Sequence, residues 1–270
     1  MLVRTTPLTE ALTITAAPLT RDAFAPFGDV IANPRPESGP SNTAPAAIAR
    51  GELPCGAVSA NQGTAIQYRA IASMRDLYGS APSGKSGGPR MTMFVCGARA
   101  LVSRDGGGER EVADDGVQIK VLERHPFTSQ TFIPLTADST KRYLVVVAPT
   151  LPDPPAGEED DDESLPAPPR DAAGLLLPGP GLPDVRRLAA FVATGEQAVT
   201  YAAGTWHAPM IALGPPGSTV DFVVVQFAND VPVEDCQEVA LDDGGKGDGA
   251  ARIWVRVPEE GDGRRALAKL

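Results

Sequence analysis

Histidine is scarce in this chain: His125 and His207 are the only two among 270 residues. Cysteine is nearly as rare. Cys55, Cys96 and Cys236 are odd in number, widely spaced and without a Cys-x-x-Cys pair, which excludes a disulfide framework or a zinc knuckle and points to reduced thiols in an intracellular protein. No cluster of Lys and Arg with interleaved aromatics is present and the formal charge is -10, so nucleic acid is not an expected partner. No apolar run approaches the roughly 18 residues needed to span a bilayer. Residues 1–17 lack the basic, apolar and cleavage-site regions of a signal peptide, so neither membrane nor export is expected. There is no internal repeat.

What is present is β-rich. Short apolar runs at 91–96, 117–122, 143–148 and 220–227 are bounded by Gly or Pro, as in one sandwich or barrel, so residues 1–270 read as a single, mainly β domain. Two helices are expected. Thr20 caps a short one ending at Phe24. The second covers 183–194, with Pro183 at its start, Val185, Leu188, Ala189 and Val192 on one face, and Gly195 at its end. Residues 151–181 carry many Pro and Gly and six consecutive acids at 158–163; they read as a mobile insert without a core face. Without those six acids the formal charge falls to minus four, so the folded part is only mildly acidic. Stretches 32–47 and 244–249 read as surface loops, Gly106-Gly107-Gly108 as a hairpin loop rather than a phosphate cradle, and 258–270 as a flexible tail.

The two histidines sit in informative strings: Glu123-Arg124-His125 with Gln130 beyond, and Gly204-Thr205-Trp206-His207. On an extended strand residues two apart share a face, so Glu123 and His125 project together. Val117, Ile119 and Val121 share their parity, which reads as an apolar inward row ending in a carboxylate and an imidazole; Gln118, Lys120 and Arg124 then point outward and Leu122 breaks the pattern. Pro126, Phe127 and Thr128 turn the chain, so a strand from Ser129 can bring the Gln130 amide alongside. Glu123, His125, Gln130 and His207 are thus a candidate hydrogen-bonding or metal-ligating set inside one barrel. Blander readings stand beside this one. A lone strand histidine is commonly a hydrogen-bonded core residue, Glu123 could pair with Arg142 or Arg124, and Asn61-Gln62-Gly63 could be only a turn.

The arrangement resembles the cupin superfamily, whose first motif is His-x-His followed by Glu and whose second is Pro-x-Gly-x-x-His. Here Glu123 stands for the first His, His125 fills the second, Gln130 replaces the Glu, and residues 202–207 match the second motif with Ala for Pro. Further blocks make the chain similar to the ureidoglycolate lyase family: Phe24-Ala25-Pro26-Phe27-Gly28-Asp29, Asn61-Gln62-Gly63-Thr64, Glu123-Arg124-His125-Pro126, Phe132-Ile133-Pro134-Leu135, Gly204-Thr205-Trp206-His207-Ala208-Pro209 and Asp221-Phe222-Val223-Val224-Val225. Gln226, where the family carries an acid, and the 151–181 insert depart from it.

The resemblance implies a cupin-like double-stranded β-helix barrel with a few short helices. It also implies a lyase that splits (S)-ureidoglycolate into glyoxylate and urea within allantoin and purine degradation. The step needs a base for the hydroxyl proton and an acid for the departing nitrogen. Glu123, His125 and His207 are the implied catalytic residues. With Gln130 they would either cage one loosely bound divalent ion, nickel by resemblance with manganese or zinc also fitting, or supply the acid and base directly without metal. Asn61, Ser129, Arg142, Tyr201 and Trp206 are candidates for substrate binding, Trp206 as a wall of the pocket. Lys120 and Arg124 are weaker candidates for the substrate carboxylate, because their parity points outward. No organic cofactor is expected, and a homodimer is. The alternatives are an amidohydrolase that releases ammonia, a small-molecule-binding cupin without catalysis, and, less compatible with Gln130, an iron oxygenase. Ala268-Lys269-Leu270 preserves the pattern of a peroxisomal address, so the expected location is peroxisomal or cytoplasmic.

Overall fold

Residues 143–148 are a continuous apolar run, and every one of them is buried. A strand reads this way only when both of its faces are covered. The computed structural model, which describes residues 1–103, 115–152, 165–170, 176–242 and 251–258, shows what covers them. Tyr143, Val145 and Val147 face one core together with Phe132, Val199, Tyr201, Phe222 and Val224. Leu144, Val146 and Ala148 face a second core with Leu122, Trp206, Val239 and, from a separate small sheet, Val117, Ile119, Ile253 and Val255.

The fold is therefore mainly β, as expected from the short apolar runs. One large sheet curls around the first core into a cupin-like barrel. Its hydrogen-bonded order runs through Gln237–Asp242, Val121–Arg124, Trp206–His207, Arg142–Ala148, Ile211–Leu213, Gly88–Arg99, Thr219–Ala228, Gln130–Pro134, Ala198–Tyr201 and Gly28–Ile31. Among the described residues three α-helices of four or five residues decorate it: Arg21–Phe24, Pro45–Ala49 and Pro232–Asp235. Thr20 caps the first as anticipated, its hydroxyl accepting from the Ala23 N–H at 3.3 Å. Gly28 is needed where it stands, because a Cβ there would lie 1.9 Å from the Thr200 carbonyl oxygen, and its φ of +148° is one that side chains disfavour.

The helix expected over 183–194 is not formed. Residues Val185–Arg187 make a single 3-10 turn, capped by the Asp184 carboxylate, and Ala189–Thr194 is a strand antiparallel to Arg142–Ala148. The helical spacing of Val185, Leu188, Ala189 and Val192 was coincidental. The competing signal was the unbroken run Ala189-Ala190-Phe191-Val192-Ala193, which suits a strand with Ala190 in one core and Phe191 and Ala193 in the other.

Parity along 117–125 also differs from expectation. Asp115–Ile119 and Val121–Arg124 belong to different sheets, and exposed Lys120 is the break between them. The alternation therefore restarts after Lys120. Leu122 and Arg124 point into the second core and are fully buried, while Glu123 projects from the opposite face. Arg124 is thus a core residue and not an outward one.

Among the described residues of 151–181, expected to be mobile, several are packed. Leu177 is buried against Tyr78, Phe127 and Ala203, Leu165 and Leu182 lie against the second core, and the Pro166 carbonyl accepts from the Gln237 amide at 2.8 Å. The acidic run at 158–163, Gly106-Gly107-Gly108, the stretch 244–249 and Ala268-Lys269-Leu270 lie outside the described residues. Among the described residues no helix is long and apolar enough to cross a membrane.

Candidate active site

Antiparallel pairing sets Glu123 directly opposite His207, and His207 opposite Val147. The Glu123 carboxylate and the His207 imidazole therefore leave the sheet on one face, at the end of the barrel core. His125 lies just past the end of the Val121–Arg124 strand, and its carbonyl accepts the Gly204 N–H at 2.9 Å. The two histidine strings are thus stitched together through backbone, and the ring centroids lie 5.6 Å apart.

Tautomers follow from the partners. His125 Nδ1 is 2.6 Å from the Asp235 carbonyl oxygen and His207 Nδ1 is 2.9 Å from that of Thr205. A carbonyl only accepts, so both Nδ1 atoms carry hydrogen and, in the neutral rings, both Nε2 atoms present a bare lone pair. Each Nε2 is buried and has no hydrogen-bond partner among the described residues. Burial lowers both histidines; His207 falls to about 3, with His125 beside it a second cause. Glu123 moves the other way, raised to about 7 by burial and by the neighbouring Glu238 carboxylate. At 3.6 Å the Glu123 Oε1 and His207 Nε2 are close, but a neutral imidazole makes them a donor set and not an ion pair.

One ligating atom from each of Glu123, His125 and His207 lies within 4.8 Å of the others. Two imidazole lone pairs held in place by carbonyls behind them, with one carboxylate, match the donor chemistry of a borderline divalent ion. An unsatisfied buried polar atom is costly, so two converging ones mark a site built to receive something.

Tyr201 stacks on His207 with ring centroids 3.9 Å apart and planes 9° apart, and Gln130 is its cross-strand neighbour. The Gln130 Nε2 donates to Gln226 Oε1 at 2.7 Å, while the Gln130 Oε1 is buried and without a partner among the described residues. Gln226 thereby orients Gln130. Its parity with Val220, Phe222 and Val224 would have revealed its inward direction in the sequence.

The remaining candidates disperse. Trp206 must point away from the site because His207 points toward it. It is fully buried in the second core, under the Arg124 guanidinium at 4.6 Å, and donates to the Gly181 carbonyl. Trp206 is therefore no wall of the pocket. Ser129 is turned from Gln130 for the same reason, its hydroxyl accepting from the Arg75 N–H at 2.8 Å. Asn61 is in an exposed turn of the 58–67 hairpin, its carbonyl accepting from Thr64, and the structure does not bring it to the histidines. Arg142 starts the strand in which Val147 faces His207, and five residues at about 3.3 Å each put it about 16 Å away. Lys120 is exposed at the break between sheets. Arg124 donates to Gln237 Oε1 and to the carbonyls of Gly179, Pro180 and Gly181, with its pKa lowered to about 9 by burial. Asp235, whose backbone aims His125, gave no signal in the sequence.

Residues 11–246 match the sequence profile of the family described as Ureidoglycolate lyase. The chain is similar to the protein named ureidoglycolate lyase in Schizosaccharomyces pombe, 32% identical over 229 residues that cover 84% of this chain and 91% of the relative. The Saccharomyces cerevisiae protein of that name is 30% identical over 86% of this chain and 96% of its own, and the one from Burkholderia cepacia 34% identical over 83% and 84%. With that match spanning most of its length and the two-histidine site inside it, this chain belongs to the ureidoglycolate lyase family.

Proposed function

We propose that the protein is an enzyme that cleaves (S)-ureidoglycolate into glyoxylate and urea, in the breakdown of allantoin and purines, and that Glu123, His125 and His207 carry the reaction. The observation that bears most weight is the pair of bare, buried Nε2 atoms converging beside one carboxylate. Family membership supplies the substrate.

His125 and His207 would hold a divalent ion through Nε2, Glu123 through one carboxylate oxygen and Gln130 through its Oε1. When bound, such an ion lowers the pKa of a substrate hydroxyl and stabilises the developing alkoxide. Nickel is the ion we favour, with manganese and zinc compatible with the same donors. The second oxygen of Glu123 takes the hydroxyl proton as the carbon–nitrogen bond breaks, and the same carboxyl returns a proton to the departing urea nitrogen. No water is consumed. Tyr201 backs His207 and fixes its plane, excluding solvent from that side.

Product analysis tests this reading. Purified protein given ureidoglycolate should yield urea and glyoxylate in equal amounts. Ammonia without urea would make it an amidohydrolase, and no turnover would leave a binding protein.

Two further proposals accompany it. The outer barrel face leaves Met91 71%, Met93 58% and Val95 65% exposed beside Ile133 and Leu135, a run of exposed apolar side chains of the kind found at association surfaces. We take it as the face on which two copies of the chain form a homodimer. Ala268-Lys269-Leu270 carries a peroxisomal address wherever it forms the free end; a fluorescent protein fused at the N-terminus should then appear in puncta that depend on this tripeptide.

A further inference from the structure

Four side chains form one straight row across the inner face of the barrel. Arg90 pairs with Gln226, Gln226 is bonded to Gln130, and Gln130 pairs with Tyr201. Directly opposed residues share a face, and the next row on that face, Thr92, Val224, Phe132 and Val199, brings Val224, Phe132 and Val199 into the barrel core. The row therefore runs along the open end of that core. At its buried end Tyr201 stacks on His207. At its other end Arg90 is 43% exposed, with Nη2 donating to Asp230 Oδ1 at 2.8 Å.

We propose that Arg90 recognises the carboxylate of the substrate, and that the row from Arg90 to Tyr201 is the floor on which a small ureido acid lies. The inference rests on the lyase reading for the identity of that acid. Adjacent strands are about 4.8 Å apart, so Arg90 and Gln130 are separated by about 10 Å between Cα atoms, a gap that an extended arginine and a small acid bridge together. A guanidinium suits this role because its planar fork meets both carboxylate oxygens. Asp230 accepts from Nη2 at the exposed rim, an ion pair that an incoming carboxylate does not require. The other cations considered are less suited: Arg142 is about 16 Å along its strand from the histidines, Arg124 is buried among carbonyls, and Lys120 lies at the break between the sheets. The row also gives Gln226 a place, since a neutral amide leaves Arg90 available to an incoming anion where an acid would compete for it.

The test compares binding of N-carbamoylglycine, a stable ureido acid, with that of its uncharged amide, by calorimetry on the purified protein. Wild type should bind the acid at least roughly tenfold more tightly than the amide, the scale of one charge-assisted pair. Arg90→Gln should abolish that preference while leaving the amide's affinity unchanged, Arg90→Lys should keep part of it, and Asp230→Asn, which removes only the ion pair, should retain it. With ureidoglycolate, Arg90→Gln should raise KM roughly tenfold or more with a smaller change in kcat. Wild type that does not distinguish acid from amide, or an Arg90→Gln variant that still does, overturns the proposal. An Asp230→Asn variant that loses the preference makes Arg90 a structural partner only. Wild type that prefers the acid but forms no urea from ureidoglycolate would sink the lyase reading and leave carboxylate recognition standing.

Discussion

Glu123 and His207 face each other across an antiparallel pair with 3.6 Å between Oε1 and Nε2, yet neither charge is held by the other. Burial keeps the imidazole neutral, and burial with Glu238 raises the carboxyl. What the pair shares is a common centre that His125 also faces, with one ligating atom of each residue within 4.8 Å of the others. Glu123→Gln preserves shape and removes the anion. It should cut kcat/KM by roughly 10²-fold or more, as for loss of an acid–base group, and weaken nickel binding measured by calorimetry, while circular dichroism stays unchanged. Full activity in that variant would assign the proton transfers elsewhere.

Arg124 is the buried cation behind the site. It ties the carbonyls of residues 179–181 to the strand that bears Glu123 and lies against Trp206, the neighbour of His207. Arg124→Ala strands those carbonyls without donors and should destabilise the protein by about 3–5 kcal/mol in urea unfolding. A change under about 1 kcal/mol would mean that water replaces the guanidinium at little cost.

The stretch between the two histidine strings should divide functionally. Residues 154–163 have a composition with no core face, and loop length is penalised only by about 0.6 kcal/mol per doubling. Replacing them with a short Gly/Ser linker should leave melting temperature and turnover near wild type. Extending the replacement through 178 removes buried Leu177 and the Pro166 carbonyl that Gln237 uses, and should lower the melting temperature by several degrees. Equal melting temperatures for the two deletions would show these packed residues to be dispensable.

Glu234 should set part of the acid stability. Burial pushes its carboxyl up, but the Ser83 and Asn229 hydrogen bonds outweigh this and hold it below its ordinary value. A depressed folded pKa contributes stability that is complete above the unfolded value of about 4.5 and is lost as pH falls through the folded one. Wild type should therefore exceed Glu234→Gln in stability at pH 7 by a margin that shrinks below about pH 4.5. A margin constant from pH 7 to 3 would assign it to packing.

If the outer face joins two copies, Met93→Asp should convert a dimer into a monomer at micromolar concentration in light scattering, with the fold retained. A wild-type monomer at that concentration removes the dimer from the account.

Much of this was legible in the sequence because parity and turns are local. The barrel, the Thr20 cap and the convergence of Glu123, His125 and His207 follow from strand period and family wording. The 183–194 helix was misread because a short apolar run has no unique period, and only the covering of both faces decided it. Arg124 was turned inside out by a one-residue break at Lys120 that no composition announces. The direction of Trp206 is legible in the sequence, since consecutive strand residues point to opposite faces and His207 points to the site. Arg90 and Asp235 act through strand register and a backbone carbonyl, and neither is visible without pairing.

The most direct measurement of the central claim is urea release from ureidoglycolate by His125→Ala and His207→Ala beside wild type. Each variant should keep the fold, bind nickel more weakly and lose at least roughly 10²-fold in kcat/KM. Near-normal urea release by either one would make that histidine a core residue and contradict the site.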